Sequence, residues 1–133
     1  MKHLHNLILE GIKNQTTEFI MIKPGFLQLT PILLNEMRSV GLMPVKWNTK
    51  TLNMEEAKKF YFPHKDEDFY KDLCDYMTSG PSTGFECINV HGIDVGAFKD
   101  KIREKYGKDD MRNVMHSSDS KNRKIIEKNI YLK

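Results

Sequence analysis

Phe19-Ile20-Met21-Ile22 places four large apolar side chains in succession, inside a β-rich stretch that runs from Thr17 to Lys23 and stops at Pro24-Gly25. A run this short cannot cross a bilayer. Its composition and the turn that ends it predict a central strand. A central strand needs partners on both edges, and the rest of the chain supplies candidates. Met43 to Leu52, with Trp47 inside it, reads as a second strand, Thr83 to His91 as a third, and Asn113 to His116 as a short last one.

Helical segments alternate with these strands. Thr30 can cap a helix with Pro31 at its first position, Leu33, Leu34, Met37 and Val40 along one face, and Gly41 as the stop. Asn53 with Glu56 three residues later forms a capping-box pattern, opening a short helix through Tyr61. Asp66 is placed to cap another, with Phe69, Leu73 and Met77 on a shared face before Ser79-Gly80-Pro81. Val95 to Tyr106 makes a helix with Phe98 and Ile102 inward, closed by Gly107. Ser120 opens a final helix whose Ile125, Ile126 and Ile130 are expected to face the core.

The order β-α-β-(α-α)-β-α-β-α contains a split βαβ plan. The expected class is therefore α+β: a ferredoxin-like βαββαβ sandwich, an antiparallel sheet with helices on one face plus extra helices. That plan serves enzymes, RNA binders and metal carriers alike, so it names no function. The 133 residues suit one domain, residues 15–133, behind a short leader, residues 1–14. In the leader, Leu4, Leu7, Ile8 and Ile12 have helical spacing. It has no long apolar block or small-residue cleavage site, and Cys74 and Cys87 lack metal-type spacing. A cytoplasmic protein with reduced thiols is expected. A net charge of +3, from 21 basic and 18 acidic residues, is too mild to announce a nucleic-acid binder.

Chemistry concentrates in Arg112-Asn113-Val114-Met115-His116-Ser117-Ser118-Asp119-Ser120. A histidine at a strand end, followed by hydroxyls and a carboxylate, sits in polar surroundings rather than in a core. Neutral imidazole attacks phosphorus without prior deprotonation. Its second ring nitrogen should hold a proton and give it to an acceptor, and Glu127 on the following helix could supply that carboxylate. Ser118 is a second possible partner. Lys23, at the end of a buried strand, brings an ammonium to the sheet rim, where a phosphate could meet it. Taken singly, each of these has an ordinary structural alternative: a surface histidine in a serine-rich turn, or a lysine leaving a sheet.

Together and in this order, Ile20-Met21-Ile22-Lys23-Pro24-Gly25, Tyr76-Met77-Thr78-Ser79-Gly80-Pro81, the Asn-x-x-His-x-Ser-Asp signature at Asn113 to Asp119, and a glutamate eleven residues past the histidine resemble the nucleoside diphosphate kinase family over roughly Thr17 to Leu132. The resemblance implies transfer of the γ-phosphate of a nucleoside triphosphate to a nucleoside diphosphate by a ping-pong route through phosphohistidine. It implies that His116 is the nucleophile, oriented by Glu127 and helped by Ser118, with Lys23 and Tyr61 at the transferring phosphate. Asn113 would bind the sugar hydroxyl and Phe69 would stack on the base, with Arg103 and Arg112 among the nucleotide contacts. Mg2+ would be the cofactor, held mainly by nucleotide oxygens and water rather than by a protein cage. A homo-oligomer is expected, with no membrane and no nucleic-acid partner.

The chain departs from the family pattern between Pro81 and Arg112, where family members carry a longer loop with two phosphate-binding arginines. Arg103 can be aligned with either, so at least one is missing from its usual place. Lys99, Lys101, Lys105 or Arg112 could substitute, although lysine lacks the two-pronged geometry of guanidinium. Ser117 stands where the family prefers glycine or alanine. Two other readings compete: a nucleotide-binding module of the same fold without turnover, and a nucleic-acid binder using Lys121, Arg123, Lys124 and Lys128 as a phosphate-tracking face.

Overall fold

The computed structural model describes residues 16–132; the leader helix predicted from Leu4, Leu7, Ile8 and Ile12 lies outside them. The strand that holds the long apolar run, β1 (Thr16–Ile22), is paired on both edges. Strand β3 (Ser82–Asn89) lies antiparallel on one side of it and β4 (Met115–Ser117) antiparallel on the other, while β2 (Leu42–Lys50) pairs with the far edge of β3. The order is β2-β3-β1-β4, a ferredoxin-like antiparallel sheet.

Because side chains alternate across a strand, β1 feeds two cores. Ile20 and Ile22 pack with Leu33 and Met37 of α1 (Thr30–Ser39) and with Phe98 and Ile102 of α4 (Val95–Tyr106). Phe19 and Met21 pack on the opposite face with Ala57 and Phe60 of α2 (Met54–Phe60), Leu73 and Met77 of α3 (Tyr70–Met77), and Tyr131 of α5 (Lys121–Leu132). The two helices of the βαββαβ plan thus share one face, and the extra helices cover the other.

The local signals mostly act as their chemistry dictates. Asn53 accepts from the Glu56 amide while the Glu56 carboxylate accepts from the Asn53 amide, completing the capping box. The Ser120 hydroxyl accepts from the Arg123 amide at the start of α5. Gly41 ends α1 with φ +84, and a Cβ there would stand 2.5 Å from the His91 ring.

Four expectations need correction. Thr30 does not cap α1: a 3-10 turn, Leu27–Leu29, runs straight into the helix, and the Thr30 hydroxyl donates to the Leu27 carbonyl. Asp66 does not cap α3, which begins at Tyr70, and Phe69 stays 43% exposed instead of joining Leu73 and Met77. The last strand starts two residues later than expected, because Val114 sits at φ +79 and the Met115 amide closes a tight turn onto the Asn113 carbonyl. Finally, α5 turns Glu127, Tyr131 and Leu132 inward and leaves Ile125 54% exposed. Apolar periodicity could not anticipate a helix whose buried stripe includes a carboxylate with three donors waiting for it.

Candidate functional site

His116 sits in the middle of β4, opposite Met21 of β1, on the face covered by α2, α3 and α5. The chain reaches it through Val114, whose left-handed backbone is unusual for a β-branched residue and strained. The ring is wedged against Phe60, with centroids 4.9 Å apart, and edge-on to Tyr61 at 6.0 Å. Only 14% of its side chain remains exposed.

Its Nε2 lies 2.6 Å from Oε1 of Glu127. The same oxygen accepts from the Ser118 hydroxyl at 2.7 Å, and Oε2 accepts from Nε of Arg123 at 3.2 Å. Burial alone would raise the Glu127 carboxyl, but the His116 hydrogen bond, the Ser118 hydroxyl and the Arg123 guanidinium together hold it below the usual range. An ionised carboxylate only accepts, so the Nε2 atom carries the proton and Nδ1 keeps a free lone pair. Burial lowers the His116 pKa more strongly than Glu127 raises it, which favours neutral imidazole near pH 7.

A cavity of about 550 Å3 opens in front of this ring. Lys23, Lys99 and Arg103 bring three basic side chains to its wall, and Asp110 and Asp119 bring two carboxylates. Lys23 is buried, its backbone amide bound to the Val114 carbonyl at 2.8 Å and its Nζ to the Met111 carbonyl at 3.3 Å. Burial, with Arg103 and Lys99 nearby, lowers its pKa to about 7. Arg103 is anchored by Nε donating to the Met115 carbonyl at 2.9 Å. Tyr61 follows the last residue of α2, and its buried hydroxyl has no partner among the described residues; burial raises its pKa well above the ordinary phenol value. Asn113 donates to the Asp110 carbonyl at 2.8 Å, and its Oδ1 is left buried and unpaired. Both unpaired atoms belong to residues of the cavity wall, although buried polar groups are otherwise almost always satisfied. At the outer end, Phe69 stands beside His64, ring centroids 5.5 Å apart.

So Lys23, Tyr61, Phe69, Arg103, Asn113 and His116 meet in one cavity, with Ser118 and Glu127 behind the histidine. Arg112 does not join them. It is paired with Asp109 at 2.7 Å and faces a neighbouring surface depression with Tyr76. Among the lysines considered as substitutes, Lys99 lines the cavity, whereas Lys105 is paired with Glu36 at 3.0 Å. The spacing held the signal: Lys99 and Arg103 are four apart on α4 and therefore share a face. His64, Asp110, Met111 and Asp119 add to the polar and apolar lining. Asp110 and Met111 arrive from a loop, where no periodicity marks them.

The basic face imagined on the last helix is largely committed to internal bonds. Arg123 binds Glu127 and the Phe60 carbonyl, Lys124 the Thr17 carbonyl, and Lys128 Glu86 at 2.7 Å.

A nucleoside diphosphate kinase family model matches residues 15–133. The chain belongs to the nucleoside diphosphate kinase family. It is 33% identical to the nucleoside diphosphate kinase of Methanosphaera stadtmanae, the match covering 85% of this chain and 83% of that protein. It is also 33% identical to the enzyme of Archaeoglobus fulgidus, covering 77% and 76%. Among solved structures, the Aquifex aeolicus nucleoside diphosphate kinase has the same fold, with a TM-score of 0.71 at 22% identity over 86% of this chain and 92% of that one. The Halobacterium salinarum nucleoside diphosphate kinase in complex with CDP superposes with a TM-score of 0.74 at 22% identity, covering 88% and 87%. Kinases of this family act on nucleotides and generally need a divalent cation. No helix among the described residues is long and apolar enough to cross a membrane.

Proposed function

We propose that this chain is a working nucleoside diphosphate kinase in which Nδ1 of His116 takes the γ-phosphoryl group of a nucleoside triphosphate and passes it to a nucleoside diphosphate. The observation that carries the reading is the 2.6 Å contact between Nε2 of His116 and Glu127, which leaves Nδ1 as the ring's nucleophilic atom beside a cation-lined cavity. In the first half-reaction the Nδ1 lone pair forms a bond to the γ-phosphorus, and the bond to the bridging oxygen breaks, leaving with the diphosphate. The imidazolium so formed keeps its Nε2 proton against Glu127. In the second half-reaction an oxygen of the acceptor diphosphate attacks the same phosphorus, the bond from phosphorus to Nδ1 breaks with its electron pair returning to the ring, and the imidazole is neutral again.

Phosphoryl transfer asks mainly for in-line placement and neutralisation of oxygen charge. Lys23, Lys99 and Arg103 would supply the charge, with Tyr61 donating to the transferring group. Asn113 Oδ1 would accept from the sugar, and Phe69 would stack on the base, a contact that every base can make. Arg112 would have to leave Asp109 to take part. Mg2+ would ride on the nucleotide phosphates and lower the charge that the attacking nitrogen meets. Asp110 and Asp119, which line the cavity, are the carboxylates that could accept from its bound water.

Residues 15–133 are read as one domain, in a cytoplasmic protein whose two thiols stay free. A homo-oligomer is favoured by Met43, Val45 and Trp47, which expose apolar surface along the edge strand β2, and a mass measurement in solution tests it. The decisive assay for the chemistry is incubation with radiolabelled ATP. Acid-labile, base-stable label on the wild type and none on His116→Ala is the expected result. An unlabelled wild type would leave a nucleotide-binding module without turnover.

A further inference from the structure

Arg123 stands outside the cavity, yet it connects the two structural elements that frame the nucleophile. Its Nε donates to Oε2 of Glu127 at 3.2 Å, while a terminal nitrogen donates to the carbonyls of Phe60 at 2.6 Å and Lys59 at 3.3 Å. Those carbonyls belong to the last turn of α2, where intrahelical amides run out; the Lys59 carbonyl also takes the Tyr61 amide. Phe60 and Tyr61, the residues at this helix end, are the two aromatic rings packed against His116. Glu127 is 3% exposed, so an oxygen with no donor there would be costly. The Arg123 side chain is only 17% exposed and shares its outward-facing hollow with Lys58, Lys59, Phe62, Tyr70 and Ile126, away from the nucleotide cavity.

We infer that Arg123 is a positioning residue for phosphoryl transfer: a two-ended brace that fixes the Glu127 carboxylate on α5 against the end of α2, and so holds the His116 ring and the Tyr61 hydroxyl in mutual register. Guanidinium suits this task because its rigid fork reaches a carboxylate and two carbonyls at once, which an ammonium on a flexible stem does not. The Glu127 oxygen that orients His116 is already shared with Ser118, so without Arg123 the carboxylate is free to rotate and share its second oxygen with water. Loss of the brace should therefore disturb chemistry more than nucleotide binding.

The inference rests on the reading of His116 as the phosphorylated residue, and the two are separable by experiment. Rapid-quench labelling with radiolabelled ATP is compared for wild type, Arg123→Ala, Arg123→Gln and Arg123→Lys, with steady-state KM measured alongside. Wild type should label at His116. Arg123→Ala and Arg123→Gln should label about tenfold more slowly, with KM for ATP held within about twofold, because a charge-assisted contact is lost behind the nucleophile rather than in the cavity. Arg123→Lys should recover part of the rate. Glutamine covers the case in which alanine fails to fold. Unchanged labelling in both neutral variants, a KM that rises as far as the rate falls, or full recovery by lysine would overturn the brace while leaving His116 as nucleophile. Absence of label on the wild type would remove both.

Discussion

His116 of β4 and Glu127 of α5 meet at 2.6 Å across an interval of eleven residues, the carboxylate almost wholly buried and the imidazole nearly so. A buried carboxylate is costly unless its oxygens are satisfied, and here both are taken, by His116 and Ser118 on one and Arg123 on the other. The pair therefore fixes which ring nitrogen is free. In Glu127→Gln the neutral amide would no longer stabilise the imidazolium, and the labelling rate should fall by about one to two decades, the worth of a charge-assisted bond. The charges facing His116 are Glu127 and Asp119, which raise its pKa, and Lys23, which lowers it. Removing the Glu127 charge lowers the pKa, so the acid limb of kcat/KM should move to lower pH. A limb that moves upward would contradict the assigned tautomer.

Lys23 provides a second handle on pH. Its folded-state pKa is about 7 against an ordinary value of 10.5, so between those values the unfolded chain binds a proton that the folded chain does not. Stability from this group rises with pH across that window, and the burial penalty is fully present below it. Lys23→Met should therefore melt higher than wild type at pH 6, by several degrees at roughly 4 °C per kcal/mol for a domain of this size, with the gap closing towards pH 10. Differential scanning calorimetry across that range reads it directly.

The same lysine should take up a proton when a polyphosphate arrives, because an opposite charge favours its cationic form. Calorimetric titration with ATP at pH 8 in buffers of different ionisation enthalpy should show proton uptake in the wild type. Lys23→Met should lose most of it, together with affinity.

Phe69, 43% exposed at the cavity mouth, should matter for binding rather than chemistry. In Phe69→Ala, KM should rise for purine and pyrimidine nucleotides alike, by about 1–3 kcal/mol of lost stacking, with little change in the single-turnover rate at saturation. A selective loss for one base would show a contact other than stacking.

Gly84 tests the packing behind the site. A Cβ there would stand 2.6 Å from the Tyr131 ring and 2.9 Å from Phe19. Gly84→Ala should therefore push α5 off the sheet and cost about 1–3 kcal/mol in denaturant unfolding. Since α5 carries Glu127, activity should fall along with stability.

Much of this protein is written locally. The apolar run at Phe19 to Ile22, the Asn53 and Ser120 caps and the Gly41 stop act over a few residues, so the central strand and these three helix ends follow from spacing alone. The motif around His116 was equally plain, because residues 113–119 are contiguous. What spacing could not carry is any choice made between distant segments. Arg112 sits in the signature yet turns to Asp109, three residues away, while Lys99 joins Lys23 in the cavity from α4. The inward turn of Glu127 in place of Ile125 depends on donors from β4 and from its own helix meeting one carboxylate, and the two unpaired oxygens of Tyr61 and Asn113 are buried only by packing from distant segments. Sequence determines local hydrogen bonds and alternation; the tertiary structure alone decides which charges are desolvated together, since that depends on which surfaces the whole chain buries against one another.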